Sequence, residues 1–147
     1  SPFVPSTGGE AERFLFYDGE TRFPDGFRVR RRRITPIAGH LDPVAWKLER
    51  GHAHHLDIVG TNVTRRALAS TDALRADMRT TLMARGLTAG EADSLLDTWR
   101  ANLFAGNENR VIWMLPRATY DAMLPLTVVP APTEIVRVGV VVQVYGR

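Results

Sequence analysis

Three of the four histidines in this 147-residue chain, His52, His54 and His55, fall within four positions, with Asp57 close behind. Imidazole nitrogens are good zinc ligands, and a catalytic zinc needs three protein ligands plus an open position for water. On an extended strand His52 and His54 share a face, and a third ligand such as His40 would complete the set. His55 and Asp57 point to the other face, so no single metal easily collects all four. A small zinc-dependent enzyme built on His52, His54 and His55 is therefore one reading. The plainer one is a solvated strand start with exposed imidazoles.

The second grouping is Arg28, Arg30, Arg31, Arg32 and Arg33. A guanidinium fork binds phosphate and carboxylate bidentately. Read as one strand from Phe27 to Ile34, closed by Thr35 and Pro36, the run places Arg28, Arg30 and Arg32 on one face and Arg31 and Arg33 on the other. Such a ladder could bind phosphate, nucleic acid or an acidic polymer. Nucleic-acid readers add exposed aromatics for stacking. Phe23 and Phe27 are near, but no RNA-binding signature accompanies them, so nucleic acid is the less favoured ligand. The commoner role of such a run is a charged edge strand that blocks edge-to-edge association, or one paired with neighbouring Asp and Glu.

Other chemistries lack their parts. Without cysteine there are no disulfides, thiolate nucleophiles or Cys-based zinc sites. The four serines form no Gly-x-Ser-x-Gly elbow, and no Walker A loop or dinucleotide fingerprint occurs. The acidic groups Glu91, Asp93 and Asp97 read as the solvated side of a helix. No catalytic residue is assigned, and zinc is the single cofactor option.

The elements that must carry these groups follow from periodicity. Residues 1–12, with two prolines and paired glycines, read as a flexible lead-in, and 13–147 as a single domain. Arg13 to Tyr17 reads as a first strand ending at the turn pair Asp18-Gly19. Val44, Trp46 and Leu48 alternate with Lys47 and Glu49, the pattern of a half-buried antiparallel strand. His54 to Val59 is another, with Leu56 and Ile58 inward, His55 and Asp57 outward, and Gly60-Thr61-Asn62 ending it.

The period then changes. Leu74, Met78 and Leu82 mark an amphipathic helix capped by Ser70 or Thr71 and ended by Gly86. Thr88 and Glu91 have capping-box spacing, and Ala92, Leu95, Leu96, Trp99 and Leu103 form the stripe of a second helix ending near Phe104. The short link predicts an antiparallel αα-hairpin. A strand from Arg110 to Leu115 is apolar on both faces, which predicts a central position. A short helix around Ala118 to Leu124 precedes a strand from Ile135 to Tyr145, whose valines 136, 138, 140, 142 and 144 share one face. Trp99 and Trp113 are expected in the core, with Arg100 and Arg110 pairing with Asp97 or Asp121.

Composition sets the outer bounds. Apolar residues make up 44% and charged residues 24%, ordinary for a globular chain. No apolar run approaches the ~20 residues of a membrane-spanning helix. Arginine outnumbers lysine eighteen to one, Lys47 being the single lysine. A GC-rich genome explains that preference more simply than a cationic function does. The opening Ser1 to Val4 lacks a basic region before an apolar core, and a start without Met reads as trimmed, so the compartment stays open.

One resemblance is visible. The succession Thr98-Trp99-Arg100, Arg110-Val111-Ile112-Trp113-Met114-Leu115-Pro116-Arg117, Asp121-Ala122-Met123-Leu124-Pro125-Leu126, Pro130-Ala131-Pro132 and Val136-Arg137-Val138 resembles a group of uncharacterised bacterial proteins. The opening Arg13-Phe14-Leu15-Phe16-Tyr17 resembles theirs as well. The resemblance touches about half of the chain and implies the architecture and an exported setting, with a cytoplasmic one as the alternative. It implies no activity, and neither the arginine run nor the histidine cluster belongs to it.

These readings predict an α+β fold: an antiparallel sheet, as a sandwich or open barrel, with one αα-hairpin packed against it. The leading function is a non-enzymatic binding or interaction module for an unknown protein or acidic ligand. The alternatives are the zinc enzyme and an anion- or nucleic-acid-binding site on Arg28 to Arg33. The balance is against an enzyme, and oligomeric state is left open.

Overall fold

A strand with apolar side chains on both faces needs a cover on each side, and that requirement organises this molecule. The computed structural model describes residues 3–7, 12–17, 25–31, 33–123 and 138–145. Strand β8 (Asn109–Met114) is buried along almost its whole length. It lies inside a seven-stranded sheet of order β1-β2-β9-β8-β5-β6-β7. The other members are β1 (Phe3–Thr7), β2 (Glu12–Tyr17), β5 (Val44–Glu49), β6 (His52–Val59), β7 (Asn62–Leu68) and β9 (Val138–Tyr145). Pairing is antiparallel except between β2 and β9, which run parallel. The sheet does not close into a barrel, because β1 and β7 are its two edges. The fold is α+β, as the periodicity predicts.

One face is covered by helices. Ser70 caps α1 (Thr71–Ala84) by accepting the Ala73 amide at 3.0 Å. Thr88 and Glu91 close a reciprocal capping box on α2 (Ala89–Thr98). The second expected helix breaks at Trp99, and α3 (Arg100–Phe104) continues it. Leu74, Met78 and Leu82 of α1, with Ala92, Leu95, Leu96 and Leu103, pack on Trp46, Ile112, Met114, Val140 and Val142 of the sheet. Each such Leu or Met contributes about 1.5–3 kcal/mol. The Arg75–Asp97 and Arg79–Asp93 bridges between α1 and α2 are part-exposed and screened by solvent, so packing decides the docking.

Arg110, only 3% exposed, departs from the expected carboxylate pairing. Its guanidinium donates to the carbonyls of Asn102 (2.8 Å), Ala105 and Glu108 (3.3 Å). It thereby satisfies the carbonyl end of α3, where a cation is favoured. Arg100 does lie beside Asp97, at 3.6 Å.

The opposite face is also covered, which the alternation of β5 does not predict. A two-stranded ribbon, β3 (Phe27–Arg30) and β4 (Arg33–Pro36), lies over it. Phe27, Val29 and Ile34 of the ribbon meet Ala45, Leu56, Val111, Trp113 and Val141 of the sheet. Helix α4 (Arg117–Met123) adds Tyr120 to this layer. Gly26 lets the ribbon approach, since a Cβ there would sit 2.6 Å from the Trp113 ring.

Four expectations therefore change. The arginine run is a hairpin, not one strand: Arg30 pairs with Arg33, so these two and Arg28 share the outer face. Lys47 is buried at 7% exposure where a solvated side chain was expected. His55 lies beneath α1, not outward. Asn62 opens β7 as the edge of the sheet, where the reading ends a strand; β7 is exposed along nearly its whole length and carries no alternation to read. Within the expected lead-in, Phe3–Thr7 pairs with β2 as a strand. Arg32, Leu124 and residues 135–137 lie outside the described residues.

Gly139 offers a direct check on the second layer. A Cβ there would lie 2.8 Å from Leu115 Cδ1 and 2.9 Å from the Tyr120 ring. Gly139→Ala is expected to cost about 1–3 kcal/mol by overpacking. Urea denaturation measures it, and an unchanged midpoint would show that α4 does not pack tightly on β9.

Candidate anion-binding cleft

Where the ribbon overhangs the sheet, it leaves a cleft of about 760 Å³ lined by Arg30, Arg31, Arg33, Lys47, Glu49 and Arg65. A smaller hollow of about 50 Å³, bounded by Phe27, Ile34, Lys47, Leu56, Val63 and Arg65, lies beside it. Strand parity explains the lining. In the β5–β6–β7 register Lys47 faces His54, Glu49 faces His52 and Leu56 faces Arg65, so all six project to the ribbon side. The ribbon supplies the roof. Its tight turn follows the Arg30–Arg33 pair, and Arg31 adopts a φ of 59°. That left-handed conformation costs a non-glycine residue on the order of 1 kcal/mol or more. Asn or Gly would serve the turn more cheaply.

The cleft holds five cationic side chains and one carboxylate. Glu49 lies 3.7 Å from Lys47 Nζ and accepts a 2.7 Å hydrogen bond from the Tyr145 hydroxyl. That bond, with Lys47 nearby, holds the Glu49 carboxyl below its ordinary range despite partial burial. Burial, and then the Glu49 carboxylate, push the Tyr145 phenol up. Burial lowers the Lys47 ammonium, and Arg65 lowers it further against the opposing pull of Glu49. His54 is lowered by burial and then by Lys47, Arg65 and His52. Its Nδ1 is buried without a hydrogen-bond partner among the described residues. Burial leads the shifts of Tyr145, Lys47 and His54; neighbouring cations add to it at Lys47 and His54, and Glu49 opposes them there.

The contrast with other arginines is informative. Arg66, Arg75, Arg79, Arg85, Arg100 and Arg117 each lie against an aspartate. Arg30, Arg31, Arg33 and Arg65 form no ion pair with any described residue. Among the described residues, the carboxylates of neighbouring strands that a charged edge strand would pair with do not meet them. Arg28 shares the outer face with Arg30 and Arg33 but lies two residues farther from the turn and is not among the residues lining the cleft.

The histidine cluster is divided. His52 and His54 face the ribbon side, whereas His55 lies on the helix side, where carboxylates take both ring nitrogens. Its Nδ1 is 2.5 Å from Asp77 Oδ2 and its Nε2 is 3.1 Å from Asp57 Oδ1. Among the described residues no three His, Asp or Glu side chains are gathered as a metal site. His40 donates through Nδ1 to the Asp25 carbonyl at 2.8 Å, on the loops flanking the ribbon. Asp77 is a structural hub, also accepting from Trp46 Nε1 and Arg66 Nη2 at 2.8 Å each.

Sequence reasoning reaches Arg30, Arg31 and Arg33 but misses Lys47, Glu49, Arg65 and Tyr145. Two signals were present: Lys47 is the single lysine, and it shares its strand face with Glu49. Nothing local predicts that a ribbon covers them.

Burial would raise the Asp77 carboxyl, but hydrogen bonds from His55, Arg66 and Trp46 outweigh it and hold it below the ordinary value. A depressed folded value stabilises the protein fully above the unfolded value near pH 4, and that stabilisation disappears as pH falls through the folded one. Asp77→Asn is therefore expected to cost about 2–3 kcal/mol at neutral pH. Denaturation across pH should show the gap to wild type closing in acid. A gap that persists undiminished would mean the charge of Asp77 is not what the network uses.

Comparison of the chain with protein-family models, curated proteins and solved structures found no match. The functional reading therefore rests on the chemistry of the cleft.

Proposed function

We propose that this protein is a binding module for small anions, with the cleft between the β3–β4 ribbon and the sheet as its site. The observation that carries this reading is the convergence of Arg30, Arg31, Arg33, Arg65 and Lys47 on one cleft with Glu49 as the single carboxylate among its described lining residues. Gathering like charges costs free energy, and a bound phosphate or carboxylate relieves it. Arginine forks suit such groups geometrically. A small anion fits better than a nucleic acid, since the exposed large apolar side chains among the described residues are Val59, Val63, Met83 and Val144, none of them a ring for base stacking.

Calorimetric titration with inorganic phosphate and pyrophosphate tests the proposal. Arg65→Ala and Arg33→Ala should each weaken binding about tenfold, the weight of one charge-assisted hydrogen bond. Arg66→Ala should leave it unchanged, because Arg66 is held by Asp77 on the other face. Equal losses in all three variants, or no binding of either anion, would contradict the assignment. Tight, steeply salt-dependent binding of an oligonucleotide in place of phosphate would show a polyanion site instead.

A further inference from the structure

Lys47 sets this cleft apart from a simple cradle of guanidinium groups. Arginine fills every other basic position, including all those around it, yet the one site on the buried floor carries the chain's single primary-amine side chain. For binding an anion alone, arginine offers more donors in a fixed fork. What lysine adds is a nitrogen that can lose its proton and react with a carbonyl carbon. Guanidinium, which stays protonated, cannot.

The surroundings fit that use. The side chain is withdrawn from solvent on a rigid strand, paired on one side with β6 and on the other with β8. Arg65 is the cation that acts on it, Arg30, Arg31 and Arg33 line the same cleft, and desolvation beside another cation favours the neutral, nucleophilic amine. The lowered ammonium value of Lys47 agrees with this. Glu49, 3.7 Å from Nζ, is placed to accept the ammonium proton and is itself oriented by the Tyr145 hydroxyl. His54 lies directly opposite Lys47 and is itself lowered by burial and then by Lys47.

We propose that Lys47 forms a Schiff base with small aldehydes or ketones that carry a phosphate or carboxylate group, the cleft arginines holding the anion while Glu49 handles the proton. The inference rests on the anion-binding reading and adds a covalent step to it. Glu49 takes a proton from the Lys47 ammonium, and the freed nitrogen pair attacks the carbonyl carbon as the C=O π bond opens. The carbinolamine then loses its oxygen as water, taking back that proton together with one from nitrogen or solvent. The sum is protonated amine plus carbonyl giving protonated imine plus one water, with no oxidant or reductant. Hydrolysis reverses it.

The probe is pyridoxal 5′-phosphate with the full chain, followed by borohydride reduction and peptide mapping. Expected is a saturable, one-to-one label on Lys47, competed by inorganic phosphate, with phosphate-free pyridoxal labelling about tenfold less or weaker still. Lys47→Arg should lose that label while still binding phosphate in the calorimeter. Glu49→Gln should slow labelling about tenfold or more while retaining phosphate. Phosphate binding with Lys47 unlabelled, or with label confined to the terminal amine, would overturn the inference and leave the anion site standing. Equal labelling by pyridoxal and its phosphate, uncompeted, would show ordinary amine reactivity and also overturn it. Loss of both phosphate binding and labelling would remove the two readings together.

Discussion

The structure depends on the second face of the sheet being covered. Val111, Trp113 and Val141 are too apolar to face water, and the ribbon that covers them does so with Phe27, Val29 and Ile34. Once those side chains are fixed inward, antiparallel register forces Arg28, Arg30 and Arg33 to the other side of the ribbon. The ribbon therefore cannot shield the core without bringing arginines to its rim. Near the turn, at the more polar end of β5, Arg30, Arg31 and Arg33 line one cleft with Lys47, Glu49 and Arg65. Hydrophobic packing thus assembles the charge cluster and supplies the free energy that holds like charges together.

The two faces treat charge in opposite ways. On the helix side most charges meet a partner within the chain. Asp77 gathers Trp46, His55 and Arg66, and Asp42 takes both the Nε and Nη2 donors of Arg85 at 2.7 and 2.6 Å. Arg110 closes the carbonyl end of α3. These contacts pin helices to strands, and the His55 and Trp46 rings meet edge-on at 6.4 Å within the same network. On the ribbon side the described lining of the cleft sets five cations against the Glu49 carboxylate. Among the described residues, six arginines outside the cleft lie against aspartates, whereas Arg30, Arg31, Arg33 and Arg65 do not, and the proposed anion site rests on that contrast.

Legibility in the sequence followed range. The helical hairpin, its caps at Ser70 and Thr88, and the central β8 were all readable, because each is written within one window of the chain. The arginine hairpin is not, since four arginines in a row conceal the turn that joins Arg30 to Arg33, and Arg31 has none of the usual left-handed formers' chemistry. Lys47 was misplaced because alternation reports which residues share a face and never what later covers that face. The exposed edge β7 left no apolar pattern at all, so Arg65 had no strand to be read on. The site was missed for the same reason: its parts come from β3, β4, β5 and β7, and only the tertiary register joins them.

Amide chemical-shift mapping during a titration with inorganic phosphate tests the central claim most directly. The largest changes should fall on Arg30, Arg31, Arg33, Lys47 and Arg65, with Arg66, Arg75 and Arg79 on the helix side unmoved. Shifts spread over arginines on both faces, or none at saturating phosphate, would contradict the account of a single anion-binding cleft.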